Sequence, residues 1–270
     1  MTAAVFDLSD RVAVITGGAG MLGLQHAQAI HRAGGIPILL DIIAPGSAEL
    51  RARTGFAVEC VECDITSEKD IQEALAKIVA QHGRLDILIN NAANNPKVEN
   101  AGGLDNSRLE NFPLDSWHAD LAVGLTGAML CSRVFGGEMA RRGKGVIVNV
   151  SSDLALIAPD QRLYAIEGNS AQSQPVKPVS YSVVKTGLIG LTRYLATYWA
   201  TSGVRANALC PGGVENGQDV VFLKRIAERI PLGRMARQDE YQGAITFLCS
   251  DASSYMTGAV LAIDGGRSAW

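Results

Sequence analysis

The chain has 270 residues, a formal net charge of −3 at pH 7 and 47% hydrophobic residues. This length and apolar content suit one globular unit with a substantial core and exclude a disordered segment. The small negative charge, without a cluster of lysines or arginines, offers no basic surface for nucleic acid, so we expect no nucleic-acid partner.

The N-terminus, residues 1–7, lacks the basic start and the long apolar core of a secretory signal. No apolar run approaches the ~20 residues that span a bilayer. We therefore expect a cytoplasmic protein with no membrane partner.

The five cysteines are odd in number and scattered along the chain, which argues against a disulfide framework. Cys60 and Cys63 form a C-x-x-C pair inside a predicted strand. Because no second pair of ligands accompanies them, we expect packing and no metal site.

Short apolar runs alternate with helical patterns along the chain. Apolar residues recur at helical spacing over 71–79 and over 188–198. The runs that indicate buried strands are 12–16, 36–40, 57–63, 85–89, 146–150, 205–209 and 260–263. This alternation predicts one α/β domain over 1–270, a Rossmann-type, doubly wound parallel sheet of about seven strands with helices on both faces.

Two stretches, 94–115 and 153–179, are longer than simple connections, and a third insertion is expected near 213–235. The first two follow the carboxyl ends of predicted strands, where doubly wound sheets bind their ligands. We expect them to shape a substrate pocket; a surface excursion or an oligomer contact is the alternative.

A glycine-rich turn over 16–23 follows the first strand and opens a helix. In that context backbone N–H groups and the helix N-terminus can hold a pyrophosphate, with Gly17, Met21, Leu22 and Gly23 as candidate contacts. Asp41 ends the second strand, where a carboxylate binds both adenine-ribose hydroxyls and repels a 2′-phosphate. These residues favour NAD(H) over NADP(H), and a turn or helix-cap role for Asp41 is the alternative.

Tyr181 and Lys185 are four residues apart and therefore share one face of a predicted helix. A phenol titrates near pH ~10, and a nearby ammonium lowers that pKa. Tyr181 could then exchange a proton with an alcohol or ketone near neutral pH, while Lys185 donates hydrogen bonds to ribose. The pair and the glycine-rich turn together indicate hydride-transfer chemistry.

These motifs, in this order, resemble those of the classical short-chain dehydrogenase/reductase family over nearly the whole chain. The resemblance implies an NAD-dependent oxidoreductase acting on a small molecule, and a homotetramer with the helix after Tyr181 and the last strand at interfaces. The matching segments are 16–23, Asp64, 90–92, 149–152, 181–185, Asn207 with 211–212, and 257–258 with 264–266.

The resemblance implies a role for each matching residue. Ser152 hydrogen-bonds the substrate oxygen, Tyr181 is the acid/base and Lys185 binds the nicotinamide ribose. The cofactor contacts that it implies are Asp64, Ile65, Asn91, Ala92, Pro211, Gly212 and Val214.

Some assignments have competitors. Ser151 could replace Ser152 as the functional hydroxyl, although the family pattern favours the second serine. Tyr164 competes as the base, but Gly168 stands where the lysine four residues on would be needed. Gly124 occupies the place of an asparagine whose backbone anchors a water of the proton relay, and its carbonyl is expected to keep that function.

The insertion over 153–179 predicts a polar wall and hence a hydroxylated substrate. Arg108, Arg162 and Lys177 could bind a phosphate if they converge. The insertion and the C-terminal segment also look similar to bacterial dehydrogenases of flagellin-modification and nonulosonic-sugar pathways, which implies a sugar, sugar phosphate or nucleotide sugar. The polar residues in question are Asp160, Gln161, Arg162, Glu167, Asn169, Gln172, Ser173, Gln174 and Lys177.

Other functions compete with a simple dehydrogenase. Gly124 and Asn216 depart from the family pattern and motivate a dinucleotide-binding sensor or scaffold without catalysis. A redox epimerase or a partner-dependent dehydrogenase is a third alternative. The intact Ser152, Tyr181 and Lys185 favour the enzyme.

Overall fold

Seven parallel strands form one sheet in the residues that the computed structural model describes, 4–94 and 104–270. The strands are β1 (Val12–Thr16), β2 (Ile36–Asp41), β3 (Glu59–Glu62), β4 (Ile87–Asn90), β5 (Gly145–Val150), β6 (Val204–Pro211) and β7 (Val260–Ile263). Their order is β3-β2-β1-β4-β5-β6-β7. Because β1 pairs with both β2 and β4, the winding reverses there, at the topological switch point.

Continuous burial explains why the strands are visible in the sequence. All residues of β1 and β5 are buried, as expected for parallel strands covered on both faces. The observed limits of β1 and β7 match the predicted ones. The run over 57–63 yields only Glu59–Glu62, an edge strand that pairs with β2 alone. The prediction of a single-domain, doubly wound parallel sheet is confirmed.

Helices cover both faces of the sheet. On one face Ile71, Phe135 and Leu195 join a common core, and on the other face Ile30 and Ile245 do so. The helices are α1 (Met21–Arg32), α2 (Ser47–Thr54), α3 (Glu68–His82), α4 (Leu114–Arg141), α5 (Val179–Tyr198), α6 (Val220–Ala227) and α7 (Gln242–Cys249).

Helix α4 is interrupted by two π turns, Ala122–Gly127 and Ser132–Gly136. Among the helices in the described part of the chain, it alone is long and apolar enough to cross a membrane. The sequence prediction found no unbroken apolar run of such length, and both Asp120 and Arg133 lie within this helix. Phe135 and Met139 of α4 are fully buried in the sheet core, and a core helix gives the same composition signal.

Cys60 and Cys63 pack into different cores. Cys63 belongs to one core, while Cys60 packs against the other. Burial raises the pKa of the Cys60 thiol to about 11 and that of Cys63 to about 12. Within residues 4–94 and 104–270, no group of three or more His, Cys, Asp or Glu side chains is arranged to hold a metal ion.

The connections at the carboxyl end of the sheet contact one another. The insertion over 153–179 joins β5 to α5. Arg108 donates a hydrogen bond to the Ala171 carbonyl of the insertion (3.1 Å). Arg229, which follows α6, pairs with Asp160 of the insertion. Residues 95–103 of the predicted loop 94–115 lie outside the described residues. The insertion contains three short 3₁₀ turns, Asp153–Ala155, Gln161–Tyr164 and Ala171–Ser173.

Candidate active site

A cavity of about 770 Å³ opens at the carboxyl ends of β1 and β4, at the topological switch point. The predicted catalytic residues Ser152, Tyr181 and Lys185 line one part of it. Gly23 and Gly124, also predicted site residues, do not line it. The predicted cofactor contacts that line it are Gly17, Met21, Leu22, Asp41, Asp64, Ile65, Asn91, Ala92, Tyr181, Lys185, Pro211, Gly212 and Val214.

The glycine-rich turn forms a cradle that side chains would fill. A Cβ on Gly17 would lie 2.8 Å from Ala92 Cα, and one on Gly18 would lie 2.7 Å from Leu39 Cβ. Gly17 also has a φ of +59°, which favours glycine. No side chain caps the start of α1, so its first backbone N–H groups are available to an anion. The turn therefore fits the pyrophosphate of a dinucleotide.

Gly23 has a structural role that differs from the predicted cofactor contact. It is buried, and an added Cβ would lie 2.7 Å from Gly18 Cα. The absence of a side chain on Gly23 lets α1 pack closely on the glycine-rich turn. Gly23 faces the turn and does not line the cavity.

Thr16 and Asn91 tie the ends of β1 and β4 together beneath the cavity. The Thr16 hydroxyl accepts hydrogen bonds from the backbone N–H groups of Asn91 (3.0 Å) and Ala92 (3.1 Å). The Asn91 side chain donates to the carbonyls of Thr16 and Gly17. These contacts fix the glycine-rich turn relative to β4.

Asp41 lies at the end of β2 in the cavity wall. Its Oδ2 accepts a hydrogen bond from the backbone N–H of Ala19 at 3.0 Å, which holds the carboxylate beside the turn. A carboxylate in this place can accept ribose hydroxyls and repel a 2′-phosphate. Arg53, which the sequence did not indicate, donates to the Ala19 carbonyl at 2.7 Å but does not line the cavity.

Ser152 and Tyr181 are the hydroxyl pair at the substrate end. The Ser152 Oγ donates to Asp153 Oδ1 (2.9 Å) and accepts from the Leu154 N–H (3.1 Å). Burial raises the pKa of Tyr181, Asp153 adds to the shift and a hydrogen bond with Ser152 opposes it. Lys185, expected to lower this pKa, is not among the groups that shift it, and its Nζ lies 5.8 Å from the Tyr181 ring centroid.

The Lys185 ammonium is held by the end of β5. Its Nζ donates to the Val150 carbonyl at 2.9 Å. Burial lowers the pKa of Lys185 to about 8, and the charge of Lys177 adds to this effect. The Ser151 hydroxyl donates to the Lys185 carbonyl at 2.6 Å. Ser151 is thus engaged with the α5 backbone, whereas the Ser152 side chain lies against the Tyr181 phenol, which favours Ser152 as the hydroxyl for substrate.

Tyr164, the competing tyrosine, also lines the cavity. Burial raises its pKa to about 12, and its ring packs against Phe222 with centroids 5.9 Å apart. Burial raises the pKa of Tyr181 as well, and the two phenols differ in their surroundings: Lys185 lines the cavity with Tyr181.

Asp153 and Arg267 form a buried ion pair that the sequence did not indicate. Arg267 Nη1 lies 2.7 Å from Asp153 Oδ2, and their side chains are 8% and 3% exposed. Because the other Asp153 oxygen accepts from Ser152, the pair fixes the direction of the Ser152 hydroxyl. The two residues are 114 positions apart, and neither local sequence signals the contact.

Gly124 lies in the first π turn of α4, beside the catalytic pair. With Tyr181 and Lys185 it lines a second, smaller cavity of about 10 Å³, a volume that suits one water molecule. A Cβ on Gly124 would lie 2.5 Å from Val184 Cγ1, so a side chain does not fit without a shift of that valine. Such π turns occur frequently at functional sites.

The predicted polar wall is wrong for eight of its nine residues, because they do not line the cavity. Their side chains serve the insertion itself: Gln174 bonds to the backbone of Ile166 and Asn169, and Arg162 pairs with Asp160. Lys177 alone of the nine lines the cavity. The cavity wall also has apolar residues, Leu154, Leu163, Phe222, Ile226 and Met235, together with the polar residues Asp153, Tyr164, Asn216, Gln218, Asp219 and Arg267.

Comparison with known proteins gives matches over nearly the full length. A family model described as enoyl-(acyl carrier protein) reductase matches residues 17–268. The cis-4-hydroxycyclohexanecarboxylate dehydrogenase of Sinomonas cyclohexanicum is 33% identical over 268 residues, covering 97% of this chain and 98% of the relative. The D-threitol dehydrogenase of Mycolicibacterium smegmatis is 33% identical over 269 residues, covering 97% and 94%.

A solved structure shows the same fold. The gluconate 5-dehydrogenase of Burkholderia cenocepacia J2315, in complex with NADP and tartrate, has a TM-score of 0.84 and 28% identity over 100% of both chains. The matched region covers the whole chain and so includes residues 16–23 and 181–185. On this full-length match in sequence and fold, the chain belongs to the short-chain dehydrogenase/reductase family.

Proposed function

We propose that this protein is an NAD(H)-dependent dehydrogenase that interconverts a secondary alcohol and a ketone on a small hydroxylated substrate. One observation carries the proposal: Ser152, Tyr181 and Lys185 line the same cavity as the glycine-rich turn and Asp41. A dinucleotide on the turn and a substrate at Tyr181 would therefore share one cavity. The relatives described above are dehydrogenases of hydroxylated compounds, which supports this reaction class.

The side chains divide the work at the reacting atoms. Nicotinamide, when bound, supplies the hydride acceptor or donor. Tyr181 takes the proton from the substrate hydroxyl or returns it to the ketone. Ser152, whose hydroxyl direction is set by Asp153, positions the substrate oxygen.

Lys185 and Gly124 support the proton transfer. The Lys185 ammonium, which donates to the Val150 carbonyl, would hold the nicotinamide ribose beside Tyr181 when the dinucleotide is bound. The small cavity between Gly124, Tyr181 and Lys185 has room for one water, which gives the proton a path away from the phenol. The Gly124 carbonyl would anchor that water.

The choice of NAD(H) depends on Asp41. The gluconate 5-dehydrogenase crystal holds NADP, so family membership alone does not assign the cofactor to this chain. Here the Asp41 carboxylate is fixed by the Ala19 N–H in the cavity wall. Its charge opposes a 2′-phosphate, and its oxygens suit ribose hydroxyls.

Two classes of compound are candidate substrates. The resemblance to flagellin-modification and nonulosonic-sugar dehydrogenases favours a sugar, sugar phosphate or nucleotide sugar. The relatives add hydroxycarboxylic acids and polyols. A cytoplasmic location and a homotetramer, with α5 and β7 at the interfaces, complete the proposal.

An absorbance assay for NADH formation tests the proposal. Purified protein is mixed with NAD⁺ or NADP⁺ and with cis-4-hydroxycyclohexanecarboxylate, D-threitol, sugar phosphates or nucleotide sugars. We expect turnover with NAD⁺. Tyr181→Phe should lower kcat by about 10²–10⁴-fold, the usual contribution of a general acid/base, while NADH affinity stays near that of the wild type.

Tyr164→Phe is the matched control, since it removes a hydroxyl from the same cavity, and it should lower kcat far less. Substantial turnover by Tyr181→Phe would refute the assigned base. NADH binding without turnover of any alcohol would favour the sensor or the partner-dependent dehydrogenase.

A further inference from the structure

A carboxylate lies in the wall of the small cavity beside Tyr181. Asp120 of α4 and Gly124, about one helical turn further on, both line this cavity of about 10 Å³. Tyr181 and Lys185 line it as well. Because a volume of this size suits one water molecule, the phenol and the carboxylate share a space for one water.

The small cavity leads from buried groups toward the surface. Lys185 is 5% exposed and Ser180 is fully buried, whereas Asp120 is half-buried and Asn94 is exposed. All four residues line the cavity. Asp120 therefore lies on the solvent side of the cavity.

Ser180 fixes the Asp120 carboxylate. Its hydroxyl donates a hydrogen bond to Asp120 Oδ2. Ser180 directly precedes Tyr181 in α5, so this bond joins α4 to α5 beside the phenol. The Asn94 side chain donates to the Ala119 carbonyl at 3.3 Å and holds the same turn of α4. A fixed acceptor close to a fixed phenol is what proton transfer requires.

The charges around the small cavity give a proton one direction. Lys177 and Lys185 both line it, and burial lowers the pKa of each to about 8. Near neutral pH both ammonium groups repel an additional proton, whereas the Asp120 carboxylate attracts it. The Asp120 charge also opposes the lowering of the Lys177 pKa. Arg108 and Arg162 line neither cavity, so the phosphate site predicted from their convergence with Lys177 does not form.

Tyr181 needs an outlet for its proton. Burial raises the pKa of its phenol, so the resting side chain keeps its proton near neutral pH. The phenol can accept the proton of a substrate hydroxyl only as its own proton leaves.

Resting on the proposed dehydrogenase function, we propose that Asp120 is the proton outlet of the active site, linked to Tyr181 through one water and held by Ser180. During oxidation the substrate hydride goes to nicotinamide. The Tyr181 O–H bond breaks as its proton passes to the water, and the substrate hydroxyl proton takes its place on the phenol oxygen. The water passes a proton to a carboxylate oxygen of Asp120, which releases it to solvent. Each alcohol oxidised thus yields one proton, and reduction of the ketone uses the same path inward.

Proton release tests this path directly. A first turnover with NAD⁺ and the alcohol of the assay above that the wild type oxidises fastest is followed by NADH absorbance and by a pH-indicator dye. In the wild type the two signals should rise together. Asp120→Asn keeps an acceptor for Ser180 but takes up no proton, and proton release should be at least about tenfold slower. Asp115→Asn removes an exposed acid of the same helix that lines neither cavity, and it should match the wild type.

Chemical rescue separates a proton acceptor from a mere tie between helices. Asp120→Ala removes both the base and the acceptor for Ser180. Formate, a small carboxylate, should raise the rate of proton release by Asp120→Ala severalfold and leave the rates of the wild type and Asp115→Asn unchanged. A residue that only joined α4 to α5 would not respond to formate.

Two results would overturn the inference. One is proton release by Asp120→Asn at the rate of Asp115→Asn, and the other is a rate of Asp120→Ala that formate leaves unchanged. In both cases NADH formation by the wild type still supports the dehydrogenase. If the wild type oxidises no alcohol, the dehydrogenase and the proton outlet fail together.

Discussion

Asp41 is the side chain that we expect to select NAD(H) over NADP(H). Its Oδ2 is fixed by the Ala19 N–H at 3.0 Å, so the carboxylate cannot easily turn away from the cavity. Asp41→Asn keeps an acceptor oxygen and removes the charge. Without repulsion of a 2′-phosphate, the ratio of kcat/KM for NAD⁺ over NADP⁺ should fall at least about tenfold, or about 1.4 kcal/mol. Initial rates with both cofactors measure this ratio.

Glu49→Gln is the control for that experiment, because it removes an exposed acid near Arg53 on α2 without touching the cavity wall. An Asp41→Asn variant with the wild-type cofactor ratio would show that other residues select the dinucleotide.

Residues whose function depends on local spacing were predictable. Tyr181 and Lys185 fall on one helix face, and both line the cavity. The Asp153–Arg267 pair was not predictable, because its members meet only after the whole sheet has formed. The polar wall failed for a related reason: Gln174 and its neighbours form hydrogen bonds within the insertion, and spacing does not reveal such pairings.

At the scale of elements, helix α1 carries a histidine that burial keeps neutral. His26 is fully buried, and neither of its ring nitrogens has a hydrogen-bond partner among the described residues. Burial lowers its pKa from 6.5 to about 4, and the Asn91 side chain opposes the shift. Below pH 6.5, His26 therefore binds a proton in the unfolded chain but stays neutral in the folded protein until the pH approaches 4.

This difference predicts a loss of stability on acidification. His26 should reduce the free energy of unfolding by about 2 kcal/mol between about pH 6.5 and about pH 5, and the loss should continue toward the folded pKa. His26→Leu should remove this part of the pH dependence. Urea denaturation at several pH values checks it, with His31→Gln as an exposed control in the same helix. An equally steep pH dependence in His26→Leu would contradict the assignment.

Elements differ in how clearly they appear in a sequence. β1 and β5 are buried throughout and show as unbroken apolar runs. The π turns of α4 leave no such pattern, because a π turn keeps helical spacing on either side and changes only the local hydrogen bonds. The π turn that contains Gly124 therefore required the structure, whereas the resemblance had already predicted Gly124 at the proton relay.

At the scale of the whole molecule, the Asp153–Arg267 pair links the C-terminal segment to the catalytic serine. Arg267→Met would leave the Asp153 carboxylate buried without its partner, which should lower the free energy of unfolding by about 3–5 kcal/mol. Urea denaturation measures the loss. Arg267→Met combined with Asp153→Asn should recover part of it, since no unpaired charge remains buried.

Arg162→Met serves as the comparison, because it breaks the exposed pair with Asp160 and should cost less than about 1 kcal/mol. A loss in Arg267→Met no greater than that of Arg162→Met would show that the buried pair does not hold the segment.

Three guanidinium groups help to fasten the insertion over the substrate site. Arg108 binds the Ala171 carbonyl, Arg225 binds the Ala165 carbonyl and Arg229 binds the Asp160 carboxylate. Guanidinium ions in solution donate hydrogen bonds to the same carbonyl and carboxylate acceptors and therefore compete with these arginines. A guanidinium salt would thus loosen the insertion over 153–179 at concentrations that leave the buried sheet intact. Catalytic activity would then be lost before the protein unfolds.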